Sequence, residues 1–355
     1  MDKKIRVLVV DDSFLMRQII SDIINSDASL EVVGKAKDGK DALEMTFLLK
    51  PDVITLDINL PGMDGLAVLE EVMKKQPTRV VMISAYTRSG ATATLKALEL
   101  GAVDFLAKPS GEISLDLNEL KEEIISKIKL AYKVDISKFI ALPRSIVGGL
   151  APAEETKKPQ LIKKLVLIAA STGGPKAILD VMHDIPADLP VTFLIVQHMP
   201  LGFTLSFAER ISWQSQVKTK EAEEGDILVA GKAFLAPAGY HMTVDREQDK
   251  LKIKLNVDPL VNFVRPAADV TMFSAAEIFG KDIVTVVLTG MGKDGLEGVR
   301  KIKEKGGFII VQDEKTSAVW GMPKAIYDAG LADKVLPLPD IAKAIMERIQ
   351  LENSR

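Results

Sequence analysis

Short, continuous apolar runs alternate along this chain with longer stretches whose apolar positions recur at helical spacing. Residues 5–10 (IRVLVV) read as a strand buried on both faces. Behind them Leu15, Ile19 and Ile23, with Met16, Ile20 and Ile24, form the stripe of an amphipathic helix. The alternation repeats with strands at 31–36, 53–56, 80–83 and 103–107 and helices at 38–49, 65–75, 91–100 and 118–132. Strand–helix units in series predict a parallel sheet covered by helices on both faces.

From 134 to 163 the pattern lapses. Pro143, Gly148, Gly149, Pro152 and Pro159, with a charged run at 154–158, read as an interdomain linker. Alternation resumes with a strand at 164–170 and a helix at 175–182, where Pro175 suits a first helical turn. Strands at 191–197, 283–288 and 308–311 and a helix at 297–304 follow, while 241–245 and 251–255 flank a polar turn and predict a hairpin. The second domain is therefore expected to be doubly wound α/β with an antiparallel hairpin.

Composition narrows the classes. The chain has 355 residues, 47% hydrophobic and 27% charged, which fits two globular domains and excludes a disordered or fibrous chain. A net charge of -3 gives no global electrostatic case for nucleic acid. The absence of cysteine removes disulfides, thiol nucleophiles and Cys-ligated zinc, and three histidines leave little for a His-built metal site. The charged start, Met1 to Arg6, lacks a signal-peptide apolar core, and no run reaches a membrane span, so a cytoplasmic protein with no membrane insertion is expected.

The strand ends carry the chemistry. Asp11 and Asp12 follow the first strand, Asp57 the third and Lys108 the fifth, so three carboxylates and an ammonium meet at the carboxyl edge where open α/β sheets bind ligands. Crowded carboxylates call for a cation, which points to a divalent metal on oxygen ligands with one carboxylate left to react. Taken singly, each acid reads equally well as a solvated turn residue or helix cap. The set Asp11-Asp12, Asp57, Ser84 at the fourth strand end, Phe105 and Lys108-Pro109 resembles the receiver domain of two-component response regulators, over about residues 3–125. The resemblance implies a flavodoxin-like fold and Asp57 as acceptor of a phosphoryl group from a histidine kinase. It also implies Mg2+ held by Asp11, Asp12, Asp57 and the Asn59 carbonyl, phosphate contacts from Lys108 and Ser84, and a switch made of Ser84 and Phe105. The chemistry agrees: Mg2+ would neutralise oxygens so that an anionic nucleophile can approach an anionic donor.

In the second domain Ser171 follows LVLIAA and precedes Thr172-Gly173-Gly174-Pro175, His198 ends FLIVQ, and Asp294 lies in TGMGKDG after a third apolar strand. All three turns open on one edge of a parallel sheet, so Ser171 as nucleophile, His198 as base and Asp294 as orienting carboxylate can converge. N–H groups near Thr172 and Met291 would form an oxyanion hole. Spacing alone leaves the triad open against a capping serine and a structural histidine, since the turn lacks G-x-S-x-G. His183 and His241 receive no role. A competing match, Gly290-Met291-Gly292-Lys293-Asp294-Gly295 with Asp313 beyond the next strand, fits a dinucleotide fingerprint. Asp294 would then set a negative charge against the pyrophosphate.

STGGP at Ser171, VQHMP at His198, RPAADV from Arg265, LTGMGKDG at Asp294 and WGMP at Trp320 together resemble the chemotaxis protein-glutamate methylesterase family, CheB. This resemblance implies Ser171, His198 and Asp294 as the triad and Met291 N–H in the oxyanion hole, with no cofactor in the catalytic domain. It implies hydrolysis of glutamate methyl esters, and deamidation of glutamines, on the cytoplasmic part of methyl-accepting chemotaxis receptors, with phosphorylation of Asp57 relieving inhibition. Arg265 reads either as a contact to the anionic receptor or as a surface or capping residue. The domains expected are a receiver at 1–133, a linker at 134–163 and a methylesterase domain at 164–355. The alternative is a response regulator whose output domain binds a partner without catalysis.

Overall fold

A computed structural model describes residues 3–84, 87–108, 117–137, 162 and 164–353. The chain divides into two compact units, Met1–Pro143 and Arg144–Arg355. Pro109 and most of the expected linker lie outside the described residues.

The first unit runs β1 (Ile5–Val10), α1 (Phe14–Asn25), β2 (Leu30–Ala36), α2 (Gly39–Leu49), β3 (Val53–Asp57), α3 (Gly65–Lys75), β4 (Arg79–Ser84), α4 (Arg88–Glu99), β5 (Asp104–Ala107), α5 (Leu117–Lys133). Its five strands lie in the order β2-β1-β3-β4-β5, all parallel, the flavodoxin-like arrangement expected from the sequence. Helices on both faces explain why β1 and β3 are apolar almost throughout rather than alternating. Chain direction across the sheet reverses beside β1 and β3, so Asp11 and Asp57 emerge at the switch point. Caps set the helix starts. Asp38, expected inside α2, instead caps it by accepting from Asp41 N, and Thr87 caps α4 through Gly90 N, starting that helix earlier than its apolar stripe indicates.

The second unit runs β6 (Lys164–Ala170), α6 (Gly174–His183), β7 (Val191–Gln197), α7 (Thr204–Gln214), β8 (Lys218–Glu221), β9 (Lys232–Leu235), β10 (His241–Glu247), β11 (Lys250–Asn256), α8 (Ala268–Phe279), β12 (Ile283–Val287), α9 (Leu296–Glu304), β13 (Phe308–Gln312), α10 (Met322–Asp328), β14 (Lys334–Leu336), α11 (Leu338–Asn353). Seven strands form one parallel sheet, β14-β13-β12-β6-β7-β9-β8. Strands β10 and β11 pair antiparallel, as the hairpin pattern predicts, but as a separate sheet. Alternate residues Met242, Val244, Leu251 and Ile253 are buried in one core with Met272, Ala275, Ala276 and Phe279 of α8. The order reverses between β6 and β12, which makes the carboxyl ends of β6, β7 and β12 the natural site.

Candidate functional sites

In the first unit one ammonium serves two buried carboxylates. Lys108 Nζ lies 2.7 Å from Asp57 Oδ2 and 2.9 Å from Asp11 Oδ2. The Asp57 contact is a directed hydrogen bond, whereas Asp11 Oδ2 has charge proximity but no hydrogen-bond partner. The other oxygens are fixed by turn amides: Ser13 N donates to Asp11 Oδ1 (2.9 Å) and Asn59 N to Asp57 Oδ1 (3.2 Å). Burial pushes the Asp57 carboxyl above its ordinary range, and the Lys108 contact offsets only part of that shift. Burial alone would lower Lys108, but its bonds to Asp57 and Asp11 outweigh this and raise it. Both groups therefore move upward, Asp57 because burial outweighs its one ammonium partner and Lys108 because two carboxylates outweigh its burial.

Carboxylate oxygens of Asp11, Asp12 and Asp57 all lie within 4.8 Å of one another, with Asp12 exposed. Hard oxygen donors, an orphaned buried oxygen on Asp11 and excess negative charge fit a divalent cation of the Mg2+ type. Ser84, the last residue of β4, and Phe105, inside β5, are both buried, and Lys108 N donates to Ser84 O at 2.7 Å. The sequence-expected cluster is thus assembled on one edge.

The second site forms at the other sheet's switch point. Ala170 pairs with Gln197, so Ser171 and His198 each follow the last paired residue of adjacent strands. His198 N donates to Ala170 O (3.1 Å), and Ser171 N donates across to Thr289 O (3.0 Å) beyond β12. His198 Nε2 donates to Asp294 Oδ2 at 2.8 Å. Asp294 is 2% exposed and also accepts from Ala268 N (2.6 Å), Asp269 N (3.2 Å) and Asn262 Nδ2 (3.0 Å). Two of these donors are N–H groups at the start of α8, where a helix favours negative charge. Burial would raise the Asp294 carboxyl, but His198 and these donors hold it below the ordinary aspartate range.

Close packing forces small residues into the turns. A Cβ on Gly174 would stand 2.1 Å from Gln197 Oε1, and one on Gly290 would stand 2.9 Å from Ser171 Cβ and 2.5 Å from Met322 Sδ. Glycine at these positions lets the β6 and β12 turns touch. Met291, next to Gly290, is 52% exposed, and among the described residues no acceptor is bonded to its N–H.

The remaining sequence candidates find structural places. His241 is buried; Ala267 N donates to its Nδ1 (3.2 Å), so Nε2 carries the proton and donates to Pro259 O (3.1 Å). His183 pairs with its neighbour Asp184. Arg265 Nη1 donates to the Val257 and Asp258 carbonyls (2.8 and 2.9 Å), which makes it a clamp on its own loop and favours the capping reading over a receptor contact. Asp313, the acid of the dinucleotide pattern, caps its own turn, its Oδ1 accepting from Thr316 N and Oγ1 (2.9 and 2.6 Å).

Three contributors were not legible in the sequence. Gln197 Nε2 donates to the carbonyls of both Ser171 and His198 (2.9 Å each), joining the two turns. Asn262 bridges Asp294 to the buried Asp269. Burial pushes the Asp269 carboxyl up, against bonds from Gly298 N and Asn262, with the Asp294 charge adding to the rise. The only sequence signal is that Asp269 lies in the RPAADV stretch; nothing in the spacing reveals its convergence on Asp294.

Comparison with known proteins identifies the family of each unit. Residues 166–345 match the model of the CheB methylesterase family, and residues 7–119 that of the response regulator receiver domain. A protein-glutamate methylesterase/protein-glutamine glutaminase of Pyrococcus horikoshii is 50% identical over 99% of this chain and 95% of its own length. A protein of the same name from Thermotoga maritima is 42% identical over 98% and 99%. The crystal structure of the Thermotoga maritima CheB methylesterase catalytic domain superposes with a TM-score of 0.51 at 40% identity, covering 52% of this chain and 97% of that domain. Among the described residues no helix is long and apolar enough to cross a membrane.

Proposed function

The chain belongs to the CheB methylesterase family, with a response regulator receiver domain preceding the methylesterase domain, and from that premise we propose that it demethylates chemotaxis receptors when phosphorylated. The substrates are glutamate methyl esters, and glutamines for deamidation, on the cytoplasmic part of methyl-accepting receptors; the protein works in the cytoplasm. Residues 1–133 act as receiver, 134–163 as linker and 164–355 as catalytic domain.

The observation that carries the reading is the His198–Asp294 hydrogen bond at the sheet edge where Ser171 also emerges. Asp294 takes up His198 Nε2–H, so the lone pair left to act as base is on Nδ1. This is the reverse of the ring orientation in serine proteases. Ser171 Oγ attacks the side-chain ester carbonyl while Nδ1 takes its proton, and Asp294 stabilises the imidazolium. Met291 N–H donates to the tetrahedral oxyanion. His198 returns the proton to methoxide, methanol leaves, and water activated by the same nitrogen releases glutamate and Ser171. With an amide substrate the protonated leaving group is ammonia.

In the receiver, Asp57 takes the phosphoryl group from a histidine kinase. Asp11, Asp12 and Asp57, with the Asn59 carbonyl, would hold Mg2+, which when bound supplies positive charge to the phosphoryl oxygens. Lys108 pairs with the phosphoryl group, Ser84 hydrogen-bonds it, and Phe105 reports it. The test is methanol release from methylated receptor membranes, with and without a small phosphodonor, for wild type, Ser171→Ala and Asp57→Asn. Ser171→Ala is expected to release none, and Asp57→Asn to ignore the phosphodonor. Wild-type release by Ser171→Ala would overturn the triad.

A further inference from the structure

We propose that Asn262 is a positioning residue of the catalytic site, its side-chain amide fixing the Asp294 carboxylate in the orientation that serves His198 by tying it to the buried Asp269. The inference rests on the reading of Ser171, His198 and Asp294 as the triad. Asn262 Nδ2 lies 2.8 Å from Asp269 Oδ2 and 3.0 Å from Asp294 Oδ1. Both neighbours are carboxylate oxygens, so the NH2 end of the amide faces them and both its hydrogens are used. The two acids are 2% and 4% exposed, and one amide between them supplies a donor to each.

The division of labour at Asp294 is specific. Oδ2 takes His198 Nε2 and Ala268 N; Oδ1 takes Asp269 N and Asn262. Without the amide, Oδ1 keeps only the longer of its two bonds, and rotation of the carboxyl carries Oδ2 away from His198. Asp269 is a firm anchor because Gly298 N, in α9, donates to its other oxygen at 2.7 Å.

The loop that presents Asn262 is held in a conformation the backbone does not favour. Asn262 and Phe263 have φ of 53° and 64°, the left-handed region, which asparagine tolerates and phenylalanine does not. Phe263 is 94% exposed, so burial of that ring does not account for the strain. The loop is instead over-determined from within: Val261 and Val264 exchange backbone bonds, Arg265 clamps the Val257 and Asp258 carbonyls, and His241 holds Pro259 O. What this construction delivers to the interior is the Asn262 amide.

Asn262→Asp and Asn262→Gly separate positioning from folding. Aspartate keeps the shape and the tolerance for positive φ but sets a third carboxylate against two; glycine keeps the backbone and removes the side chain. With the full chain, a small phosphodonor and methylated receptor membranes, each variant is expected to lose about tenfold or more in kcat with KM within about twofold of wild type. Thermal melting reports folding, and if Asn262→Asp does not fold, Asn262→Gly decides. Wild-type kcat in a folded variant, or a change confined to KM, overturns the proposal while an inactive Ser171→Ala leaves the triad standing. An active Ser171→Ala overturns the triad and this inference together.

Discussion

Two buried carboxylates sit side by side behind His198, and their surroundings drive them in opposite directions. Burial acts on both, but Asp294 is held down by His198 and the α8 amides, while Asp269 is left raised. For a depressed acid the stabilisation is complete above its unfolded value, near 3.9, and is lost as pH falls through the lower folded value. Asp294→Asn should therefore lower the melting temperature of the catalytic unit at neutral pH, with the gap to wild type closing below about pH 4. A gap that widens in acid would contradict the charge-paired Asp294. Gln197 offers a second test: Gln197→Glu turns a double donor into an acceptor facing the Ser171 and His198 carbonyls, a loss of at least about 2 kcal/mol. Reduced melting temperature and methanol release are expected together; an unchanged variant would show that the two turns hold without this bridge. Ser171, His198 and Asp294 were legible because each follows an apolar strand or its turn. Asn262 was not, since its position depends on a loop closed by backbone carbonyls that sequence does not display.

At the level of elements, the site depends on strand-to-helix turns without side-chain caps. Gly173 and Gly295 precede α6 and α9 in the left-handed region, where the receiver helices α1 to α4 use Ser13, Asp38, Asp64 and Thr87. An uncapped helix start leaves N–H groups free for a ligand or neighbouring turn. Two glycines of one turn should behave differently. Gly290→Ala presses a methyl group on Ser171 Cβ and Met322 Sδ, so about 1–3 kcal/mol and most activity should be lost. Gly292 has φ +85° and open space around it, so Gly292→Ala should cost only about 1 kcal/mol of backbone strain and retain methanol release. Denaturant melts with turnover assays would separate the two, and equal losses would refute the close-contact account. Strands buried on both faces announce themselves as apolar runs, and most were legible. Strand β8 (KTKE) was not, because it is a charged edge strand with Lys218 exposed. Helix α8 was hidden for the opposite reason: packed against the hairpin and α9, it buries so much of its circumference that no stripe remains.

For the molecule as a whole, the receiver cluster is an input whose resting state carries an electrostatic cost. Three carboxylates face one ammonium, and burial raises Asp57 above its ordinary value. A raised acid contributes stability below its unfolded value and loses it as pH rises through the folded one, so ionisation of Asp57 opposes folding of its own unit. Bound Mg2+ should relieve that cost, adding about 2.7 kcal/mol when its concentration is a hundredfold above Kd. Two predictions meet at this residue. In calorimetry of the full chain, where each unit can melt separately, Asp57→Asn should raise the first unit's transition without Mg2+ and shrink the gain that Mg2+ gives wild type. In methanol release the same substitution should abolish the response to a phosphodonor while leaving basal turnover, because Ser171, His198 and Asp294 all lie in the other unit. If Asp57→Asn gained as much from Mg2+ as wild type, the cation would be bound without that carboxylate. If it still responded to the phosphodonor, phosphorylation would act elsewhere.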